Sequence, residues 1–318
     1  MPENIGHSEK IIVGGGITGL VWKFYNPDFH IISPDIGGFF AKSHLLWLHD
    51  TAETRKLLTD LGWKHPEQFA KRSYIGYMAD GWIADYQTDW LNAKIIQRKM
   101  TPWNEDPDPK FTPKTKDLSL STVGNYNYMN TLGVDLEEVI ERLNKNANIE
   151  NGFVTKITPT HIETKKNFKD ETAITIPYDT LITSIAAPLF WKAYGNEELK
   201  FKSMPITNVI VDSCPPMFDN EYEMVYYACS YPFSRISHLQ NSWSIEFTGE
   251  ITKEQFEKLY PEMKIKDIFV IKHGRIWEND KHKSPQENII FSGRFSQWEY
   301  GIVTESIIKQ VIEHKETK

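Results

Sequence analysis

An apolar run, Ile11 to Val13, breaks into glycines at Gly14, Gly16 and Gly19, and a helical pattern then continues to about Tyr25. This G-x-G-x-x-G spacing between a strand and a helix is how a dinucleotide-binding βαβ unit begins. Each glycine has a physical reason. Gly14 permits the tight turn, Gly16 lets backbone approach a pyrophosphate, and Gly19 lets the helix pack on the strand. The free N–H groups of the helix start, around Ile17 and Thr18, then point at the phosphates. A second strand, Phe29 to Ser33, follows Pro27 and supplies the context that the hexapeptide alone lacks. Without that context, a glycine-rich turn holding no ligand would look the same.

In such units an acidic residue near the end of the second strand accepts the ribose hydroxyls. Here the candidates are Ser33 and Asp35, neither of them the usual glutamate. Gly37 and Gly38 follow and offer a second place where backbone can approach a cofactor. At 318 residues the chain suits two domains built from interleaved segments. Its 10 Trp, 14 Tyr and 17 Phe favour an aromatic-lined pocket, although a bulky core would look alike.

The net charge of −7 argues against a wholesale nucleic-acid footprint, leaving room only for a local basic groove, so DNA is possible as a partner but not indicated. Cys214 and Cys229 form no metal-ligand pattern and no disulfide framework; they fit a reducing compartment, and a cytoplasmic location is expected. No metal site is expected. No apolar run approaches the roughly 20 residues of a membrane span, and the N-terminal apolar stretch lacks the basic flank of a signal peptide.

Further along, Ala52 to Leu61 reads as a helix stopped by Gly62, and 74–78 with 82–86 as a hairpin turning at Asp80-Gly81. Met100 to Gly133, rich in Pro and Asn, reads as a long loop of the kind that forms lids. Asp135 to Asn144 is an amphipathic helix with Asp135 and Glu138 spaced as a capping box. Short strands are expected at 153–158, 161–164 and 173–176, and a buried one at 178–184 before Pro188. A second, antiparallel sheet is expected from strands at 208–211, 224–229, 235–238, 243–247 and 268–271, with one helix at 253–260. His273 to Arg275 reads as a strand-end turn, and a final helix spans Ile302 to His314.

Four blocks carry a resemblance. They are the glycine turn with Gly37-Gly38, the helix-then-strands block 134–164, the strand Tyr178-Asp179-Thr180-Leu181-Ile182-Thr183, and Ile290-Phe291-Ser292-Gly293-Arg294 with Trp298-Glu299-Tyr300 and a terminal helix. In this order they resemble the FAD-binding flavoproteins of the amine oxidase, protoporphyrinogen oxidase and UDP-galactopyranose mutase superfamily. The resemblance implies an α/β fold: a Rossmann-like FAD-binding domain built from separated segments (1–70, 131–190, 284–318) and an antiparallel-sheet substrate domain (71–130, 191–283). It implies FAD as cofactor. Gly14, Gly16 and Gly19 would cradle the pyrophosphate, with Asp35 or Ser33 near the ribose and Val154 on the adenine side. Gly293, Arg294, Trp298 and Tyr300 would lie by the cofactor, and the helix start near Gly301 and Ile302 would face the flavin ring.

The stretch ending His49-Asp50-Thr51 resembles the mutases' His-x-x-His-Thr segment, with Leu46 replacing the first His; this counts against sugar-mutase chemistry and leaves His49 as the polar candidate. The segment Pro232-Phe233-Ser234-Arg235 is similar to one that places an arginine at the substrate, so Arg235 is a candidate clamp for an anionic group. Tyr226, Tyr227, Trp243, Trp298 and Tyr300 are candidates to line a pocket, with Tyr227 nearest the chemistry. The expected activity is oxidation of a C–N bond of a small-molecule or nucleotide-borne amine by hydride transfer to flavin. The alternatives are a mutase-like reaction on a nucleotide sugar, a phage-type flavoenzyme acting on amino-acid-modified thymine in DNA, and a non-catalytic flavin-fold binding module.

Overall fold

The computed structural model describes residues 10–38, 48–79, 82–84, 128–145, 147–167, 169–196, 198–201, 203–216, 218, 222–227, 233–239, 242–276, 282–299 and 302–316. Strand β1 (Lys10–Val13) turns through the glycines into helix α1 (Ile17–Tyr25), and β2 (His30–Ile32) returns beside β1. Then come β3 (Leu48–His49), α2 (Ala52–Asp60), β4 (Ala70–Ala79), β5 (Trp82–Ala84) and β6 (Tyr128–Leu132). Helix α3 (Leu136–Asn144) leads to β7 (Ile149–Glu150), β8 (Phe153–Ile157), β9 (His161–Lys165), β10 (Ile174–Pro177) and β11 (Thr180–Thr183). Helix α4 (Ala187–Tyr194) is followed by β12 (Ser203–Val211), β13 (Met224–Tyr227), β14 (Arg235–Leu239) and β15 (Ser242–Thr248). The chain closes with α5 (Lys253–Leu259), β16 (Ile265–Ile276), β17 (Ile289–Phe291), α6 (Arg294–Gln297) and α7 (Thr304–Glu316).

Five strands form a parallel sheet in the order β17-β11-β1-β2-β7, with β1 at its centre. Both faces are covered, which is why β1, β2 and β11 are near-continuous apolar runs. Ile12, Ile31 and Ile182 face α1, α2, α3 and α7 through Leu20, Trp22, Leu57, Val139 and Ile308. Ile11, Val13, Ile32 and Leu181 face α4 and the antiparallel sheet β10-β9-β8. A nine-stranded sheet runs β16-β12-β15-β14-β13-β4-β6-β3, with β5 paired to β4. All its pairings are antiparallel except β13 with β4. One face of it packs Val209, Val211, Val225, Ile236, Ile245 and Phe247 against Phe256 of α5.

Several local features differ from the sequence expectation. After the expected strand before Pro188 comes a helix that the sequence reading did not name, α4, with Pro188 in its first turn, where its missing N–H costs nothing. Asp135 caps α3 by accepting from Glu137 N–H, while Glu138 pairs with Arg142 instead of closing a capping box. His273 to Arg275 lie inside β16, since Ile206 of β12 pairs with Ile271 and Met204 with Arg275. Strands β12 and β16 are therefore much longer than the apolar runs within them. The Ala79↔Trp82 hairpin forms where Asp-Gly indicated it. Of the expected 100–133 loop, 100–127 lie outside the described residues, and 128–132 are not loop but strand β6, held between β4 and β3. No helix of the described residues is long and apolar enough to cross a membrane.

Candidate functional site

The site begins at the carboxyl edge of the parallel sheet. Gly14 has φ +109°, a value side chains rarely tolerate, and its N–H donates to Ile32 O at 3.0 Å. Gly19 packs so closely on the turn that a Cβ there would meet Gly14 O at 2.0 Å. A Cβ on Gly15 would meet Asp35 O at 2.4 Å. Gly16 is different: a Cβ there would have nothing within 4 Å. It is also the N-cap of α1, with no capping side chain and no acidic residue in the first turn. The first-turn N–H groups therefore converge, uncapped, beside an open glycine, which suits a pyrophosphate. The residues present fit the dinucleotide end of FAD.

Other segments close on the same place. Gly37 N–H donates to Gly15 O at 2.7 Å, and Gly38 lies against Gly16. Gly293, with φ +91°, abuts Thr18, whose Oγ1 lies 2.8 Å from where its Cβ would be. Ser184, one residue beyond β11, donates its Oγ to the carbonyls of Val13 and Gly14 at 3.2 Å each. Trp22 Nε1 donates to Ser292 Oγ at 2.8 Å, and Ser292 donates to Gln310 Oε1 at 2.7 Å, tying α1, the end of β17 and α7 together. The two ends of the chain thus form one cradle.

Where the sequence led one to expect a ribose, Ser33 is buried and its hydroxyl donates to Asp35 O at 2.7 Å, closing a local turn. Gly152 N–H reaches Ser33 O, and Val154 follows in β8 beside a register shift, so 33 and 152–154 are neighbours. Ile17 packs on the core of α1 and Thr18 is buried. Arg294 donates from Nε to Ile302 O at 3.2 Å, bracing the segment that enters α7. Trp298 is buried against Phe201 and His273 with a left-handed backbone, φ 55°. For a bulky residue that conformation costs about 1–3 kcal/mol. Tyr300 and Gly301 lie outside the described residues.

His49, in edge strand β3, bonds through Nδ1 to Glu305 Oε1 at 2.6 Å, in the first turn of α7. Burial alone would push the Glu305 carboxyl up. The bonds from His49 and from its own backbone N–H, with the electrostatic attraction of the His49 ring, outweigh that and hold it below the ordinary carboxylate value. Arg235 is engaged within the large sheet: Nη2 donates to Glu246 Oε2 at 2.6 Å, while Ser234 donates to Glu246 Oε1 at 2.9 Å. Tyr227 ends β13, in register with Met78 of β4. Trp243 stacks on His238 on the face covered by α5. Among the described residues no group of three His, Cys, Asp or Glu could hold a metal.

Glu305 and Glu246 are the partners that sequence reasoning did not name. For Glu246 a signal existed, because polar residues alternate at Ser242, Ser244 and Glu246. For Glu305 there was none, since its partner lies 256 positions away.

Fold and site together define a Rossmann-like dinucleotide-binding domain joined to a large antiparallel sheet. No protein-family model and no curated protein sequence matches the chain. In fold it resembles several solved structures over nearly its whole length. A CLA-producing fatty acid isomerase from P. acnes matches with a TM-score of 0.60 at 11% identity, over 97% of this chain and 98% of that one. An oxidoreductase from Methanosarcina mazei gives 0.58 at 9% identity, over 96% and 99%. A reduced UDP-galactopyranose mutase gives 0.57 at 10% identity, over 98% and 94%. At these identities the likeness is one of fold alone.

Proposed function

We propose that this chain is an FAD-dependent oxidoreductase that oxidises a C–N bond of an amine or amino-acid-like substrate. The observation that carries the cofactor is the open Gly16 beside the uncapped first turn of α1, with Gly14, Gly15 and Gly19 closed by backbone or side chain. Bound FAD would supply the hydride acceptor. The chain's own part is to position and to deprotonate. His49, with Nδ1 on Glu305, keeps Nε2 for a substrate ammonium and can take its proton, since only the neutral amine gives up hydride readily. Arg235, already braced by Glu246, orients the substrate from the large sheet.

The test is an anaerobic titration of purified protein followed by the long-wavelength flavin absorbance. Bleaching by amino acids, polyamines or amino-acid-modified nucleosides is the expected result. A flavin that dithionite reduces but none of these bleaches would sink the C–N reading. The fold shared with a mutase supports a second reading, in which turnover appears only after prior reduction and without net oxidant.

A further inference from the structure

Between α4 and β12 the chain passes from the parallel sheet to the large one, and between β16 and β17 it returns. The two crossings touch. Phe201 on the outgoing one and His282 on the returning one lie edge to face, with centroids 5.4 Å apart. His282 also stands edge-on to Phe291 of β17 at 4.6 Å and to Trp191 of α4 at 5.9 Å. Trp298, just past α6, packs on Phe201 at 5.0 Å and on His273 of β16 at 5.6 Å. One aromatic cluster holding two histidines thus joins α4, β17, α6 and both crossings.

The two histidines differ in what holds them. An indole N–H can only donate. Trp191 Nε1 donates to His282 Nδ1 at 3.2 Å, so Nδ1 keeps its lone pair and the proton of the neutral ring sits on Nε2. Nε2 is buried and faces the backbone of Ser296 and Gln297 without closing a hydrogen bond to either. A second proton would have to go on Nδ1, where it would point at the indole N–H and break the tie to α4. His273 has no such conflict: its Nδ1 meets the Ser203 hydroxyl at 2.7 Å, and a hydroxyl can donate or accept.

A charge on His282 would also find no counter-charge. The titratable groups described on the surrounding elements are Lys192 and Tyr194 of α4, Glu198 and Lys200 of the outgoing crossing, Lys283 beside it, Glu287 before β17, and Arg294 and Glu299 about α6. None of them acts on the ring; burial alone holds its pKa below the ordinary 6.5, against a weaker pull from the backbone of Ser296 and Gln297.

We propose that His282 is an acid-operated latch on the returning crossing. Neutral, it ties β17 and α6 to α4; protonated, it releases Trp191 and loosens that segment. Helix α6 starts at Gly293, which abuts Thr18 of the glycine turn, and Ser296 donates to Thr183 O at 2.6 Å. The segment that loosens is therefore the one that closes the cradle. The latch is fully engaged above pH 6.5, the ordinary value that the opened form regains, and weakens as pH falls from there toward the depressed value of the closed form.

The test is hydrogen–deuterium exchange of the purified protein at about pH 7.5 and about pH 5.5, followed in peptides spanning 289–298 and corrected for the intrinsic pH dependence of exchange. Over that interval an ordinary imidazole takes up a proton in the opened form, so protection of the segment should fall by up to about tenfold in acid. His282→Gln keeps an oxygen to accept from Trp191 but takes no proton, and should abolish the fall. His273→Gln should leave it in place. The readout is the ratio of protection at the two pH values within each protein, so a variant that melts lower still reports, and His282→Phe serves if His282→Gln does not fold. Protection independent of pH in the wild type would overturn the inference. So would the full acid loss persisting in His282→Gln, or its disappearance in His273→Gln. No substrate or flavin readout enters, so the latch is judged apart from the C–N reading.

Discussion

Replacing Gly16 by alanine separates cofactor binding from folding. The backbone at Gly16 has φ −70° and ψ 177°, which alanine adopts freely, and the new methyl would have nothing within 4 Å. Its stability cost is that of a poorer N-cap, under about 1 kcal/mol. The same methyl would stand where the pyrophosphate must approach the first-turn N–H groups. Losing one or two charge-assisted bonds there costs about 1.5–3 kcal/mol, or roughly tenfold to hundredfold in Kd. Gly19→Ala is the control of opposite sign: its methyl would collide with Gly14 O at 2.0 Å, a backbone atom that cannot yield locally. That change should cost about 3 kcal/mol or more in stability. Urea denaturation of the apoprotein and quenching of FAD fluorescence on titration read the two effects separately. Wild-type FAD affinity in Gly16→Ala would refute the assignment of this turn to the pyrophosphate.

Trp22→Phe removes the bond to Ser292 and part of a buried ring; a loss of about 2–3 kcal/mol in urea unfolding is expected, and an unchanged midpoint would show that this tie is not structural. Glu246→Gln leaves the half-buried Arg235 beside a neutral amide and should cost about 2–4 kcal/mol, read by thermal melting; Tm equal to wild type would refute a paired, enclosed carboxylate. Glu305 has a folded pKa below its ordinary 4.5. It therefore stabilises the fold at pH above 4.5, and that stability is lost as pH falls through the depressed value. The Tm gap between wild type and Glu305→Gln should be full at neutral pH and close in acid, where a protonated Glu resembles Gln. A gap independent of pH would refute it.

The β1-turn-α1-β2 unit of the parallel sheet was legible because its strands are apolar and its turn is punctuated by glycine, signals that lie close together, whereas β7 is two half-buried residues with no such pattern. The ends of β12 and β16 were not, because Ser203 and Arg275 are held by cross-strand pairing beyond a register shift that takes in Lys272 and His273, and this stretch carries no apolar alternation of its own. Helix α4 was not named from the sequence, although Pro188 stands in its first turn, a position that favours proline. In the site, Gly14, Gly16 and Gly19 could be picked out by spacing, Gly37 and Gly38 as a glycine pair after the second strand, and Gly293 only through the resemblance; they are brought together. The polar partners were not legible, since no local pattern reports that Glu305 meets His49 or that Ser292 meets Trp22.

That last contact has a consequence for how the protein is made. Trp22 and Ser292 are 270 residues apart, yet both hold the cradle, and β17 seals the edge of a sheet whose central strand is β1. A ribosome adding about 5–20 residues per second leaves the first strand without its final neighbours for on the order of tens of seconds. The glycine turn emerges early, and its binding geometry is complete only once the last helix is released. A dinucleotide held in this cradle would therefore be captured only after synthesis, and a premature stop before Gly293 would leave the glycine turn without the segments that close on it.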